Sequence, residues 1–291
     1  MLAKYGETRM KVVLLAGGRG TRIMEESDMR PKPMIEIGGM PILWHIMKEY
    51  SYYGFNEFVI CAGYKHYMIK KWFADYAFYT SDMMFDFTSD PKNGSDKGVK
   101  ITTLSGMEGK PGNCADNREN RSDDREQWKV RVINTGLSTN TGGRIKRIQS
   151  YIGDEPFLMT YGDGVCDVNI AELVKFHKNH GKIATLTSVV RKQSKGRLDI
   201  GMDNTVKAFR EKSRKDDERI NAGYMVLEPE IFDYLDDNSI LESDALSRLA
   251  DAGQLMSYRH EGFWQCMDTL LEKKMLEQFI DGGNAPWIRW E

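Results

Sequence analysis

The feature that most limits what this chain can fold into is the run Val12-Val-Leu-Leu15, apolar throughout, which ends in Ala16 and a cluster of glycines at Gly17, Gly18 and Gly20. Such a run predicts a buried strand, and the glycines let the backbone turn sharply after it and come close to a ligand. Thr21 offers a hydroxyl while Arg19 and Arg22 bring guanidinium forks, so the loop suits a phosphate-bearing anion such as a nucleoside triphosphate. Two better-known phosphate loops do not fit. A dinucleotide fingerprint registered on Gly18 and Gly20 needs glycine where Ile23 stands, and a P-loop needs Lys-Ser or Lys-Thr where Thr21-Arg22 stands. An ordinary strand-to-helix turn is the competing explanation of the glycines alone. Lys32 weighs against it, because it lies between Pro31 and Pro33, whose rings fix the backbone and limit where the amine can sit near the loop.

Beyond this loop, helical and β-rich stretches alternate. Ile42 to Tyr53 has apolar residues at helical spacing and Gly54 to end it, and Glu57 to Ala62 reads as a second buried strand, a unit that builds parallel sheets. His45 reads as a packed histidine, since only Glu49 lies at helical spacing from it among possible metal ligands. Tyr67 to Phe78 predicts another amphipathic helix, whose aromatics suit a core or a subunit contact. From residue 88 to 127 the chain becomes rich in turns and mixed charge, with a strand expected at Val99 to Leu104 and solvated loop elsewhere. Trp128 to Asn134 reads as a strand leading into Gly136-Leu-Ser-Thr-Asn-Thr-Gly-Gly-Arg144 and a short helix over Ile145, Ile148 and Ile152.

The stretch Phe157-Leu-Met-Thr-Tyr-Gly-Asp163-Gly164 places a carboxylate where an apolar strand ends, the edge at which open α/β sheets bind ligands; a turn aspartate is the plainer alternative. Asp167 is expected to cap a helix from Asn169 to His180. Ile183 to Val190, Val206 to Arg210 and Tyr224 to Leu227 read as strands, while Phe232 to Leu235 and Leu241 to Ala252 read as helices. Asp268 precedes a helix from Leu270 to Ile280, and by position alone it is an N-cap.

Composition removes several classes of function. With 291 residues the chain can bury a sizeable core as one large α/β domain. A net charge of -2 gives no global basic field and argues against nucleic acid as a partner. No apolar stretch approaches bilayer-spanning length, and the first residues lack the order of a signal peptide, so a soluble, cytoplasmic protein without a membrane partner is expected. Cys61, Cys114, Cys166 and Cys266 are widely spaced, which indicates neither a zinc knuckle nor a disulfide framework. Residues 1–9 are set apart as an extension or tag, and 10–291 is expected to be a single domain with a polar insert at about 89–127.

Leu15-Ala-Gly-Gly-Arg-Gly-Thr-Arg22, Lys32-Pro33 and Glu36-Ile-Gly-Gly39 together resemble the signature of the sugar-1-phosphate nucleotidyltransferases. Pro41-Ile-Leu-Trp-His-Ile-Met-Lys48 and Phe58-Val-Ile-Cys-Ala-Gly-Tyr-Lys65 are similar to one branch of that family, the glucose-1-phosphate cytidylyltransferases. The resemblance continues through Tyr161-Gly-Asp-Gly164, the Phe263-Trp-Gln and Met267-Asp-Thr269 matches, and the tail from Ala285 to Glu291. It implies a Rossmann-like α/β fold, a mixed but mostly parallel sheet flanked by helices, with a small β/α appendage on the sugar side. It also implies transfer of a cytidylyl group from CTP to glucose 1-phosphate, giving CDP-glucose and pyrophosphate for deoxysugar and surface polysaccharide synthesis, in a homo-oligomer.

The same resemblance implies roles for residues. Leu15, Ala16, Gly17, Gly18, Arg19, Gly20, Thr21, Arg22, Lys32, Thr139, Arg144 and Gly162 would hold the nucleotide. Asp163 and Asp268 would bind one Mg²⁺ that joins the two reacting phosphates, with Arg22, Lys32 and Lys212 adding positive charge around the reaction. Glu211, Lys212 and Asn221 would take the sugar phosphate, with Asn221-Ala-Gly223 forming a turn; a solvated basic stretch is the alternative for Lys212. The departures from the family cluster there: Ser213 for proline, Ala222 for glycine, Cys266 for proline, and a short Lys195-Gly-Arg-Leu198. Another sugar phosphate, or UTP or dTTP in place of CTP, therefore stays open, as does a nucleotide-sugar-binding protein without turnover.

Overall fold

The computed structural model describes residues 10–86, 100–104, 126–191, 197–200, 205–210 and 218–290. Glu211, Lys212, Cys114 and most of the polar 89–127 stretch lie outside them. The chain divides into two compact units, Tyr67–Gln127 and the parts on either side of it, up to His66 and from Trp128 onward.

The larger unit is built on one seven-stranded sheet. Its strands in chain order are β1 (Val12–Ala16), β2 (Glu57–Ala62), β3 (Lys129–Asn134), β4 (Phe157–Tyr161), β5 (Ala184–Arg191), β6 (Glu218–Leu227) and β7 (Leu255–His260). They lie in the order β7-β5-β6-β4-β1-β2-β3. β1 sits inside the sheet, parallel to β2 and β4, and every residue of it is buried. A strand covered on both faces reads as an unbroken apolar run rather than an alternating one, which is why Val12 to Leu15 is conspicuous in the sequence. β3 runs parallel to β2 and β7 parallel to β5, whereas β6 is antiparallel to both of its neighbours, so the sheet is mixed but mostly parallel.

Helix α1 (Ile42–Tyr52) buries Ile42, Leu43, Ile46, Met47 and Tyr50, the face predicted from their spacing. It stops where Gly54 takes φ +87, a backbone state that costs other residues energy. His45 is a packed histidine whose Nε2 bonds the Ile37 carbonyl at 2.9 Å, and burial lowers its pKa to about 4. Helix α2 (Thr141–Arg147) and the turn Gln149–Ile152 place Ile145, Ile148 and Ile152 in the core with Phe157, Met159 and Phe232. Phe157 and Phe232 stack at 5.7 Å.

Several local expectations change. Helix α3 (Ile170–His180) is capped by Asn169, whose side chain accepts from the Glu172 amide at 3.1 Å. Asp167 instead accepts from His260 at 2.8 Å and from the Phe263 amide at 2.6 Å, tying two distant loops together. Helix α4 (Leu270–Asp281) is capped by Thr269 in a capping box with Glu272, so Asp268 is released from that task. Leu241 to Ala252 divides into a π-helical turn, Leu241–Leu246, followed by an α-helical one, Ser247–Asp251. Asn221 to Gly223 lies within β6, at an irregularity in its pairing with β5, and Gly223 has φ +84; it is a strand bulge and not a turn.

Short strands Arg197–Ile200 and Val206–Arg210 form a separate antiparallel pair. The C-terminal segment docks. Trp287 is fully buried and stacks on Phe263 at 5.5 Å, and Arg289 donates to the Tyr53 hydroxyl at 2.6 Å and to the Asp167 carbonyl.

The second unit contains helical turns continuing to Ala74 and from Tyr76 to Thr80, then the antiparallel strands Asp82–Asp86 and Lys100–Leu104. Trp72 meets Tyr76 edge-on at 4.9 Å, so its aromatics pack on one another. Among the described residues no helix is long and apolar enough to cross a membrane.

Candidate active site

A cavity of about 480 Å³ opens in the larger unit, where β1 and β4 end. Leu15, Ala16, Gly17, Gly18, Gly20, Thr21, Arg22, Lys32, Gly162 and Asp163 line it, together with Thr139, Arg144 and Asp268. Gly20 takes φ +65, and its carbonyl accepts from the Ser27 hydroxyl at 3.0 Å, which pins the loop. Gly18 has open space where a Cβ would be, so the backbone there is bare toward the cavity. Arg19 is exposed and is not among the lining residues.

The chemistry of the cavity centres on two carboxylates far apart in the sequence, Asp163 and Asp268. Gly164–Cys166 pairs antiparallel with Trp264–Cys266, and the Met267 amide donates to the Asp163 carbonyl at 2.8 Å, which carries the pairing on to the two acids. Lys32 then joins their side chains. Its ammonium donates to Asp163 Oδ2 at 2.7 Å and to Asp268 Oδ1 at 2.6 Å, so the two oxygens lie no farther apart than those distances combined. Arg22 reaches the other oxygen of Asp268 at 2.6 Å while staying largely exposed.

Pro31 and the short 3-10 turn Lys32–Met34 hold the lysine backbone in place, and the Lys32 side chain is only 9% exposed. Burial pushes the ammonium down, but Asp163 and Asp268 outweigh it and hold the pKa above the ordinary lysine value. Burial likewise pushes Asp268 up, and the hydrogen bond and charge of Lys32, aided by Arg22, bring it below the ordinary aspartate value. Asp163 and Asp268 thus already share one cationic partner, and their oxygens suit a small hard divalent ion.

Arg144 lines the cavity, yet its guanidinium is committed to the protein. It donates to the Thr135 hydroxyl and the Gly136 carbonyl at 2.8 Å and to the Gly17 carbonyl at 3.1 Å, clasping the ends of β1 and β3. A Cβ on Gly17 would stand 2.1 Å from that guanidinium. Gly17 is therefore needed for the arginine as well as for any ligand. The two glycines before Arg144 have a similar use, because a Cβ on Gly143 would lie 2.2 Å from the Asp237 carbonyl. Thr139 donates to the Thr135 carbonyl at 2.6 Å and steadies the same loop.

Another wall escaped the sequence reading. Tyr161, Thr141, Ile240 and Glu242 line the cavity, and Glu242 accepts from the hydroxyls of both Tyr161 and Thr141. Their meeting depends on the π-helical turn Leu241–Leu246, and nothing in local sequence marks such a turn. Asn221 does not line the cavity; its side chain accepts from the Gly223 amide at 2.8 Å. The Cys166, Asp167 and His260 ligand atoms also lie close together, but Asp167 and His260 are engaged in hydrogen bonds with each other and with Phe263.

Comparison with known proteins places this geometry in a wider group. A family model described as nucleotidyl transferase matches residues 11–269. The chain is 45% identical to glucose-1-phosphate cytidylyltransferase from Salmonella typhi, over 97% of this chain and all of that protein. It is 39% identical to a probable glucose-1-phosphate cytidylyltransferase from Bacillus subtilis, over 97% of this chain and all of that one. Among solved structures, HddC from Yersinia pseudotuberculosis superposes with TM-score 0.61 at 22% identity, covering 93% of this chain and 99% of that one. A putative glucose-1-phosphate thymidylyltransferase from Bacillus anthracis gives TM-score 0.61 at 14% identity, with 97% of each chain covered. The architecture is that of the nucleotide-diphospho-sugar transferases.

Proposed function

Because this chain belongs to the nucleotidyl transferase family, we propose that it transfers the cytidylyl group of CTP to α-D-glucose 1-phosphate, releasing pyrophosphate and CDP-glucose. The observation that carries the reading is the convergence of Asp163, Asp268 and Lys32 beside a glycine-lined cavity.

An anionic sugar phosphate must approach the α-phosphorus of an anionic triphosphate, so repulsion between charges is the main barrier. The glycine-loop amides and Thr21 receive the triphosphate, and Arg22 balances the charge that leaves as pyrophosphate. Asp163 and Asp268 would hold Mg²⁺, which would supply charge neutralisation of the phosphate oxygens. Lys32 exchanges its carboxylate partners for phosphate oxygen as substrates enter. Arg144 keeps the ends of β1 and β3 in register and thereby shapes the nucleotide side. Glu211 and Lys212 serve the sugar side. No side-chain base is required, since the attacking phosphate is already ionised, and positioning supplies most of the rate.

Residues 10–291 work as one catalytic domain carrying a polar insert, assembled as a homo-oligomer in the cytoplasm. Pyrophosphate release measured with CTP, UTP and dTTP against several hexose 1-phosphates, with Mg²⁺ or EDTA, tests the reading. CTP with glucose 1-phosphate should give the highest kcat/KM, and EDTA should abolish it. Turnover that favours another nucleotide or sugar replaces the substrate assignment. Nucleotide binding without any pyrophosphate release indicates a binding protein instead.

A further inference from the structure

Glu242 has no part in the mechanism above, yet it is one of the most firmly held side chains of the cavity wall. The Thr141 hydroxyl accepts from the Leu241 amide at 2.9 Å and therefore directs its own proton to Glu242 Oε2, at 2.7 Å. The Tyr161 hydroxyl donates to Glu242 Oε1. The Tyr161 ring is itself seated against Gly223, where a Cβ would stand 2.4 Å from the ring carbon Cδ2.

A carboxylate offers about four acceptor positions. Two of Glu242's are filled, both by neutral hydroxyls, and the residue lines the cavity. An acceptor held this way suits neither phosphate, which it repels, nor a cation site, for which one carboxylate with two hydroxyl donors is a poor cage. It suits neutral donors, and a hexose carries several on neighbouring carbons. Tyr161 stands two residues before Asp163 on the same strand end, which puts this wall beside the reacting phosphates and outside the glycine loop.

Resting on the sugar-phosphate transfer proposed above, we propose that Glu242 is a specificity-determining residue that accepts from ring hydroxyls of the hexose 1-phosphate, with Tyr161 and Thr141 as its positioning residues. Loss of a hydrogen bond to a charged group lowers kcat/KM by roughly 10-fold or more.

The test compares the parent protein with Glu242→Gln and Tyr161→Phe at saturating CTP. Substrates are glucose 1-phosphate and its 3-deoxy, 4-deoxy and 6-deoxy analogues, with a CTP-to-UTP ratio and a thermal melt recorded for each protein. The parent should discriminate against at least one deoxy analogue by about 10-fold or more. In Glu242→Gln that discrimination should collapse, because kcat/KM falls for glucose 1-phosphate and hardly changes for the analogue, while the CTP-to-UTP ratio holds. Tyr161→Phe, which keeps the carboxylate but removes one of its guides, should shift the same ratio less. An equal loss on all sugars assigns Glu242 to structure and overturns the proposal. A changed CTP-to-UTP ratio with sugar discrimination intact makes it a base-reading residue and also overturns it. Parent turnover with CTP and glucose 1-phosphate separately tests the reading beneath; a parent inactive with every pair sinks both.

Discussion

Lys32 shows how much one side chain can be made to do. Its ammonium holds together two carboxylates that come from β4's end and from the start of α4, and replacing it with the similarly shaped methionine leaves those acids facing each other with only the exposed Arg22 as a counter-charge, on Asp268. Lys32→Met should lower the melting temperature, and Mg²⁺ should raise it more in the variant than in the parent, since the ion no longer competes with an ammonium. Turnover should stay low throughout; thermal melts with Mg²⁺ and with EDTA check this. Arg144→Lys is a sharper test of geometry, because it keeps the charge and loses the planar fork that reaches two strand ends at once. It should cost about 2 kcal/mol of stability, measured by urea unfolding, and raise the KM for nucleotide. Parental values would show that the clasp is dispensable. At this scale the sequence was only half legible. Gly17 and Arg144 could be singled out separately, but that one exists to make room for the other is a long-range fact. Glu242 carried no local mark at all.

Elements were read more easily than their ends. The unbroken apolar runs of β1, β2 and β4 and the helical spacing in α1 come from burial, and burial writes itself into composition. Caps and bulges depend on which polar group wins a local contest. Asp167 and Asp268 both looked like caps, yet Asn169 and Thr269 take those places, because partners distant in the sequence already hold the two aspartates. Removing the Thr269 cap with Thr269→Ala should cost about 1 kcal/mol and loosen the start of α4, seen as lower turnover as well as a lower melting temperature. Helix α1 has its own signature. Buried His45 has a pKa of about 4 where an unfolded chain has 6.5, so unfolding takes up a proton between those values and stability falls as pH drops through that window. The loss should approach ~3 kcal/mol by pH 4. Unfolding curves from pH 7 to 4.5 should steepen in this sense, and His45→Gln should flatten them; an unchanged slope would remove His45 as the cause.

For the molecule as a whole, the decisive event is the meeting of two loops about a hundred residues apart in the chain. The sheet delivers Asp163 at one strand end, and the pairing of Trp264–Cys266 with Gly164–Cys166 delivers Asp268 beside it. The strand end before it marks Asp163, whereas Asp268, taken with its neighbours alone, looks like a helix cap. The long-range match to a known family was what joined them before the structure did, whereas Glu211 and Lys212, read from the same match, fall outside the described residues. If both carboxylates serve a single divalent ion, removing either should disable the same function, and removing both should add little. The measurement that bears on this most directly is pyrophosphate release from CTP and glucose 1-phosphate over a Mg²⁺ titration, in the parent, Asp163→Asn, Asp268→Asn and the double variant. Each single variant should lose turnover by about 100-fold or more, and the double variant should be no worse than the poorer single one. Losses that multiply, or a single variant with parental Mg²⁺-dependent activity, would contradict the shared ion on which the account rests.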